Sequence, residues 1–174
     1  MAKKTEPFTI RATATSNGTS YVQSEIDLGS FVNLGVSKST LLRIHNIQAQ
    51  YLDNSGYGAV IYYDGGIPGA QLTWQLTTQS QTALVNAADK SFVSGGNMRQ
   101  SSTTGVLVQP ADETADMNPQ EWSKGYLVGV DTLYFAVDSS AVWDSGDIDV
   151  SIVMECTLEN ATQASSIALG LSQQ

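Results

Sequence analysis

The clearest pattern in the chain is at residues 147–158. There Ile148, Val150, Ile152, Met154, Cys156 and Leu158 alternate with Asp149, Ser151, Val153, Glu155 and Thr157. Successive side chains leave a pleated backbone on opposite sides, so a period of two sustained this long predicts a half-buried strand. One face belongs to a core and the other to water. Just upstream, residues 132–137 (Thr-Leu-Tyr-Phe-Ala-Val) are aromatic and β-branched and read as a second strand. Residues 138–146 are small and acidic and form the loop between them, so the two strands are expected to pair antiparallel.

The rest of the chain reads as sheet around this pair. Residues 9–16 and 19–26 are Thr-rich extended segments joined by Asn17-Gly18, the strongest two-residue hairpin signal present. They predict an extra, polar N-terminal hairpin lying against the main body. Leu28, Phe31, Val32 and Leu34 form an apolar patch ended by Gly35. Within 40–53, Leu42 and Ile44 share one parity while Ile47, Ala49 and Tyr51 share the other. One inserted residue restores the buried face, which places a β-bulge at His45-Asn46. The run 59–63 (Ala-Val-Ile-Tyr-Tyr) reads as a buried strand, 64–69 as turn, and Leu72, Trp74 and Leu76 as the inward side of another strand. Residues 83–88 suit a short helix or a strand. Residues 92–93 and 105–109 look like strands, the latter stopped by Pro110. The acidic segment 112–122 is expected as a loop with at most a helical turn near Pro119, and 126–130 leads back to the closing strands. The Ser- and Ala-rich tail, with Ile167, Leu169 and Leu171, is assigned no element.

No stretch shows a helical period, and roughly eight to ten short strands between Gly, Asn and Pro turns predict an all-β sandwich or barrel. The expected organisation is one domain overall: an arm and hairpin over 1–39, a β-sandwich over 40–158, and a tail over 159–174.

Charged residues are only 14% of the chain, the deficit being filled by Ser, Thr, Gln, Asn and Gly. Uncharged polar surface is cheaper to desolvate against other subunits, which hints at assembly. The net charge of −9 is uneven: seven Lys and Arg face six Asp and Glu up to Ala111, then eleven acids face Lys124 alone. That acidic half argues against a phosphate-binding groove there. No apolar segment follows Lys3 and Lys4, so no signal peptide is expected, and no run approaches membrane-helix length.

Chemistry is sparse. Cys156 is the sole cysteine and lies on the apolar face of its strand, so it reads as a buried hydrophobe. His45 is the sole histidine, sits in the proposed bulge where its ring can hydrogen-bond released backbone groups, and has no Gly-x-Ser-x-Gly elbow to serve. One His and one Cys make a transition-metal site untenable. Asp131, Asp138, Asp144, Asp147 and Asp149 could gather around calcium but match no EF-hand spacing, and solvated turn residues are the simpler reading. Glu113, Glu121 and Glu155 offer no pairing for glycoside hydrolysis. Trp74 reads as core, whereas Trp122 and Trp143 fall in loops where they could stack on sugar or be covered by a subunit. Glycosylation-type triplets at Asn17 and Asn160 carry little weight without an export signal. No catalytic, cofactor or metal residue is therefore assigned, and no enzyme is expected.

The run Leu41-Leu42-Arg43-Ile44-His45-Asn46-Ile47-Gln48-Ala49-Gln50-Tyr51-Leu52-Asp53, followed by 59–63, resembles the early strands of small viral capsid proteins. Residues 133–137 and 148–158 are similar to the last two strands of such a jelly roll. In size and style the chain resembles the small major capsid protein of tailless icosahedral viruses with single, upright jelly rolls, known from archaea and thermophilic bacteria. The resemblance spans residues 40–158 and is architectural. It implies two four-stranded sheets, self-association into trimeric or pseudo-hexameric capsomers of an icosahedral shell, and residence in the virion after synthesis in the host cytoplasm. A second capsid protein could take part. The acidic half would face outward, with Lys3 and Lys4 inward toward a membrane or genome. No small-molecule substrate is implied. A carbohydrate-binding β-sandwich and a minor virion or spike protein remain as alternatives.

Overall fold

The computed structural model describes residues 6–34, 38–54, 69–103 and 106–173, with backbone alone for 101–103 and 106–117. Its strands form two antiparallel sheets. In the first, β1 (Phe8–Thr15), β9 (Ile148–Thr162), β3 (Lys38–Asp53) and β7 (Tyr126–Val128) lie side by side in that order. In the second the order is β2 (Val22–Asp27), β8 (Thr132–Ser139), β4 (Gly69–Thr77), β5 (Phe92–Thr103) and β6 (Val106–Met117). From β1 to β4 and again from β7 to β9 the chain changes sheet at every connection. That alternation is the winding of a jelly roll, so the expected all-β sandwich of jelly-roll topology is what forms.

The alternation along β9 does what a period of two requires. Ile148, Val150, Ile152, Met154 and Cys156 are fully buried. They meet Leu72, Trp74 and Leu76 of β4 and Leu133, Phe135 and Val137 of β8 in one core. Trp74 stands at its centre, its ring 6.0 Å from that of Phe135, and its indole N–H donates across the sandwich to the Tyr51 hydroxyl at 3.0 Å. The bulge lies where the parity slips: Ile44 pairs with Cys156 and Asn46 with Glu155, leaving His45 as the extra residue. Because of it, Ile44 and Ile47 both reach the core despite their opposite parity.

Two predicted pairings are wrong. Asn17-Gly18 does reverse the chain, with Gly18 at φ 57°, but β1 and β2 do not pair as a hairpin. β1 pairs with β9 along its whole length and β2 with β8, so residues 8–27 are integral to the sandwich and not an addition to it. Nor do β8 and β9 pair with each other. β8 has β2 and β4 on its two edges, β9 has β1 and β3, and neither has an edge left. The 140–147 loop carries the chain between sheets and brings Trp143 inside, 3% exposed, with its N–H donating to Ser139 Oγ at 2.8 Å.

Three further expectations change. Residues 112–117 continue β6 instead of looping out, and Pro110 does not stop it. Among the described residues β6 has β5 as its one neighbour, an edge position where a residue without an N–H is tolerated, and the ladder shifts register beside it, between Gln100 and Ser101. The helical turn expected near Pro119 does form, as the 3-10 turn Pro119–Glu121. Residues 83–88 are neither helix nor strand; they lie over the outer face of β4, where Gln75 holds the Ala83 carbonyl and the Val85 N–H. The tail forms α1 (Gln163–Ser172), capped at its start by Thr162, whose hydroxyl accepts from the Ser165 N–H. The strand predicted at 59–63 lies outside the described residues.

Candidate assembly surfaces

The winding sorts the loops to two ends. At one end the Asp147 carboxylate accepts the Gly18 N–H at 2.9 Å, and its carbonyl accepts the Asn54 N–H. At the other end α1 folds back beneath the β4–β5 and β7–β8 connections. Its anchor is Gln173, 5% exposed. The Gln173 side chain accepts the Gly129 N–H at 2.8 Å and donates to the Leu127 carbonyl at 2.7 Å and the Tyr126 hydroxyl at 3.2 Å. Its main-chain carbonyl receives the Thr78 hydroxyl at 2.6 Å. Burial raises the pKa of Tyr126, partly offset by the Gln173 bond. Two glycines permit this closeness. A Cβ on Gly129 would fall 2.8 Å from Leu169 Cγ, and one on Gly170 would fall 3.1 Å from the Gly129 carbonyl oxygen.

The helix docks through Ser166, Leu169 and Gly170. Ser166 is buried and bonds Ser39 at 2.9 Å, while Ala164, Ile167, Ala168 and Leu171 are exposed. Those four follow the i, i+3, i+4, i+7 spacing of a helical stripe. Beside them a groove of about 630 Å³ is walled by Ile167, Leu171, Leu34, Thr78, Val130 and Asp131. This is the surface the sequence reading missed. The signal was present as that spacing behind the Thr162 cap, masked because the stripe is short and faces outward.

Elsewhere the bulge edge of β3 is closed by a side chain. Gln120 accepts the Ile47 N–H at 3.1 Å and donates to the Ile47 carbonyl at 2.9 Å, standing in for a strand where β7 stops. Next to it Arg43 grips both Glu159 oxygens, at 2.6 and 2.9 Å, and donates to the Lys124 carbonyl at 2.7 Å. The outward face of β1 and β9 is mostly a polar ladder, with Thr13 bonded to Ser151 at 2.8 Å and Thr15 donating to Asp149 at 2.5 Å.

The residues singled out from sequence are scattered. His45 is engaged with the Thr157 hydroxyl at 2.8 Å, and it is Gln120, not the imidazole, that satisfies the bulge backbone. Cys156 is fully buried, and burial, with a smaller contribution from Glu155, pushes its thiol up to about 12. Asp147 and Asp149 serve the loop and ladder bonds above, and Asp131 accepts from Thr132. Among the described residues no three His, Cys, Asp or Glu side chains group closely enough to hold a metal ion. Glu121 and Glu155 are exposed, and the Glu113 side chain and Lys3 and Lys4 lie outside the described residues. Of the tryptophans, Trp122 is exposed and leans on Tyr126 at 5.8 Å, Trp74 is core as expected, and Trp143 is not available for stacking.

VP1 of Human polyomavirus 12, solved with 3′-sialyllactosamine, superposes with a TM-score of 0.51 at 7% identity, over 90% of this chain and 100% of that one. VP1 of New Jersey polyomavirus, solved in its apo form, superposes with a TM-score of 0.50 at 5% identity over the same shares. No protein-family model and no curated protein matches the sequence. What such distant superposition establishes is architecture: the chain has a jelly-roll fold like that of these VP1 proteins.

Proposed function

We propose that the chain is a structural subunit of a virus particle, building an icosahedral shell by packing its sandwich against copies of itself. The observation that carries this reading is the strand order, β1-β9-β3-β7 facing β2-β8-β4-β5-β6, in a fold shared with viral capsid proteins. The low charge density of the sequence and the Thr and Ser ladder on β1 and β9 support it, since such faces are covered at small electrostatic cost. A nucleophilic role gains no support from a thiol held near 12 or an imidazole tied to Thr157.

The finer reading is the single, upright jelly-roll type of tailless icosahedral viruses, supported by one sandwich occupying residues 8–162. In it Lys3 and Lys4 face a membrane or genome, and a second capsid protein can complete the shell. Size-exclusion chromatography with light scattering, followed by negative-stain microscopy, tests the proposal. Rings or closed particles are the expected result, and a monomer at the highest attainable concentration refutes it.

One observation favours a glycan-binding reading beside this. A groove of about 320 Å³ under the 83–88 loop is lined by Gln71, Thr73, Gln75, Leu84 and Asn97. The Asn97 Oδ1 is shielded there without a hydrogen-bond partner. The Human polyomavirus 12 VP1 structure holds a sialylated sugar. Saturation-transfer NMR with sialyllactose, lost in Asn97→Ala, would establish that reading, and no transfer would end it.

A further inference from the structure

We propose that α1 is the element by which copies recognise one another, its seam of Ala164, Ile167, Ala168 and Leu171 lying against the same helix of a second copy across a two-fold axis. The inference rests on the assembly reading and names the contact within it.

A surface helix ordinarily buries its apolar stripe and shows water its polar one. In α1 most of the apolar side chains lie on the outer side. Of the inward positions, Leu169 packs on Gly129, while Ser166, Gly170 and Gln173 at the cap are held by hydrogen bonds and close backbone approach. The seam is left outside, with Ile167 49% and Leu171 67% exposed. Leu34, 37% exposed, stands across the same groove, so exposed apolar side chains converge on one place in a chain otherwise rich in polar surface.

Charge selects the occupant. The protein carries a net −9, so two copies repel over most approaches. No residue of α1 is charged, and among the described residues Asp131 is the one acid on the groove wall. A second copy offering the same uncharged helix can therefore approach here without desolvating an ion pair. An isologous contact is self-complementary, and each Leu171 enters the groove between its partner's α1 and Leu34. The two alanines sit between the larger side chains and let the helix axes come close. A lipid surface suits the site less well. An interfacial helix of this kind uses Lys and Arg on its polar face, and α1 has neither.

The test is disulfide trapping. Cys156, the sole native thiol, is fully buried, so a cysteine introduced at an exposed position is the one available to oxidants. Ala168→Cys is expected to give a covalent dimer on mild oxidation, and Gln50→Cys, exposed on β3, is expected to give none. The pair Ile167→Asp with Leu171→Asp is expected to weaken association at least tenfold by sedimentation velocity while leaving the circular dichroism spectrum and Tm in place. No dimer at residue 168, or equal dimer at 168 and 50, overturns the helix contact. Particles that form unchanged with the Asp pair overturn it too, and leave the assembly reading standing. A wild-type chain that stays monomeric throughout sinks both. Flotation of a monomeric wild-type chain with phosphatidylcholine–phosphatidylglycerol vesicles, abolished by the Asp pair, would assign the seam to lipid and overturn the proposal.

Discussion

Gln173 is the most informative single residue to remove, because it joins α1 to the sandwich through one buried and two partly buried hydrogen bonds. Gln173→Ala deletes the acceptor of the buried Gly129 N–H and the donor to the Leu127 carbonyl. A buried backbone group stripped of its partner costs about 1–3 kcal/mol, and a partly shielded one costs about as much as an ordinary net hydrogen bond, roughly 1 kcal/mol. Together these predict a loss of about 2–4 kcal/mol, a large share of the roughly 5–15 kcal/mol typical of a domain. For a chain of this length the expected fall in Tm is roughly 5–15 °C. Urea unfolding followed by tryptophan fluorescence should show a lower midpoint at unchanged slope, because the core around Trp74 is not touched. A loss below about 0.5 kcal/mol, the range of an ordinary surface substitution, would refute the reasoning and mean that α1 is not latched to the Gly129 turn.

Other substitutions separate the remaining arguments. Gly125→Ala should cost more than about 3 kcal/mol by chemical denaturation, since φ is +64° and the new Cβ would strike the Ile44 carbonyl oxygen; Gly146→Ala, at φ +86° in open space, should cost about 1–2 kcal/mol. Gln120→Ala should lower stability by about 1–3 kcal/mol and speed hydrogen exchange at the Ile47 amide, while an unchanged exchange rate would mean that the side chain does not close the bulge. The Cys156 thiol should resist dithionitrobenzoate at pH 8 and react fully in urea. Its folded pKa is raised, so its stabilising contribution is full below the ordinary value of 9.0 and is lost as pH climbs toward about 12. In Cys156→Ala that part of the alkaline slope should vanish, and an identical slope would remove the thiol from the account.

How much could be read in advance depends on whether a signal is local. The inward face of β9, the strand at Leu72, Trp74 and Leu76, and the bulge at His45 all follow from parity, which a pleated backbone imposes residue by residue. Pairing is not local. Asn17-Gly18 specifies a reversal, but a reversal serves equally to join two strands of one sheet or to step between two sheets, and residues 140–147 pose the same ambiguity. What decides it is whether each strand's edges are already taken, and that is a property of the whole winding. Pro110 misled because its exclusion from strands applies where both edges are paired, and among the described residues β6 has one neighbour. The assembly surface was hidden for a different reason. An apolar stripe is normally read as pointing inward, and in α1 it is Ser166 and Gln173 that do so.

The pairing of Phe8 with Cys156 and Thr15 with Asp149 has a temporal consequence. Among the described residues β1 has β9 as its one neighbour, so it must wait for a strand more than a hundred residues later before it is paired. Closing so distant a contact is slow, and the unsatisfied ribbon is open to rival strands in the meantime. Since β9 also sits between β1 and β3, its arrival completes the sheet in a single step. A nascent chain lacking β9 would hold no finished first sheet, so copies become competent to meet one another only once β9 is in place.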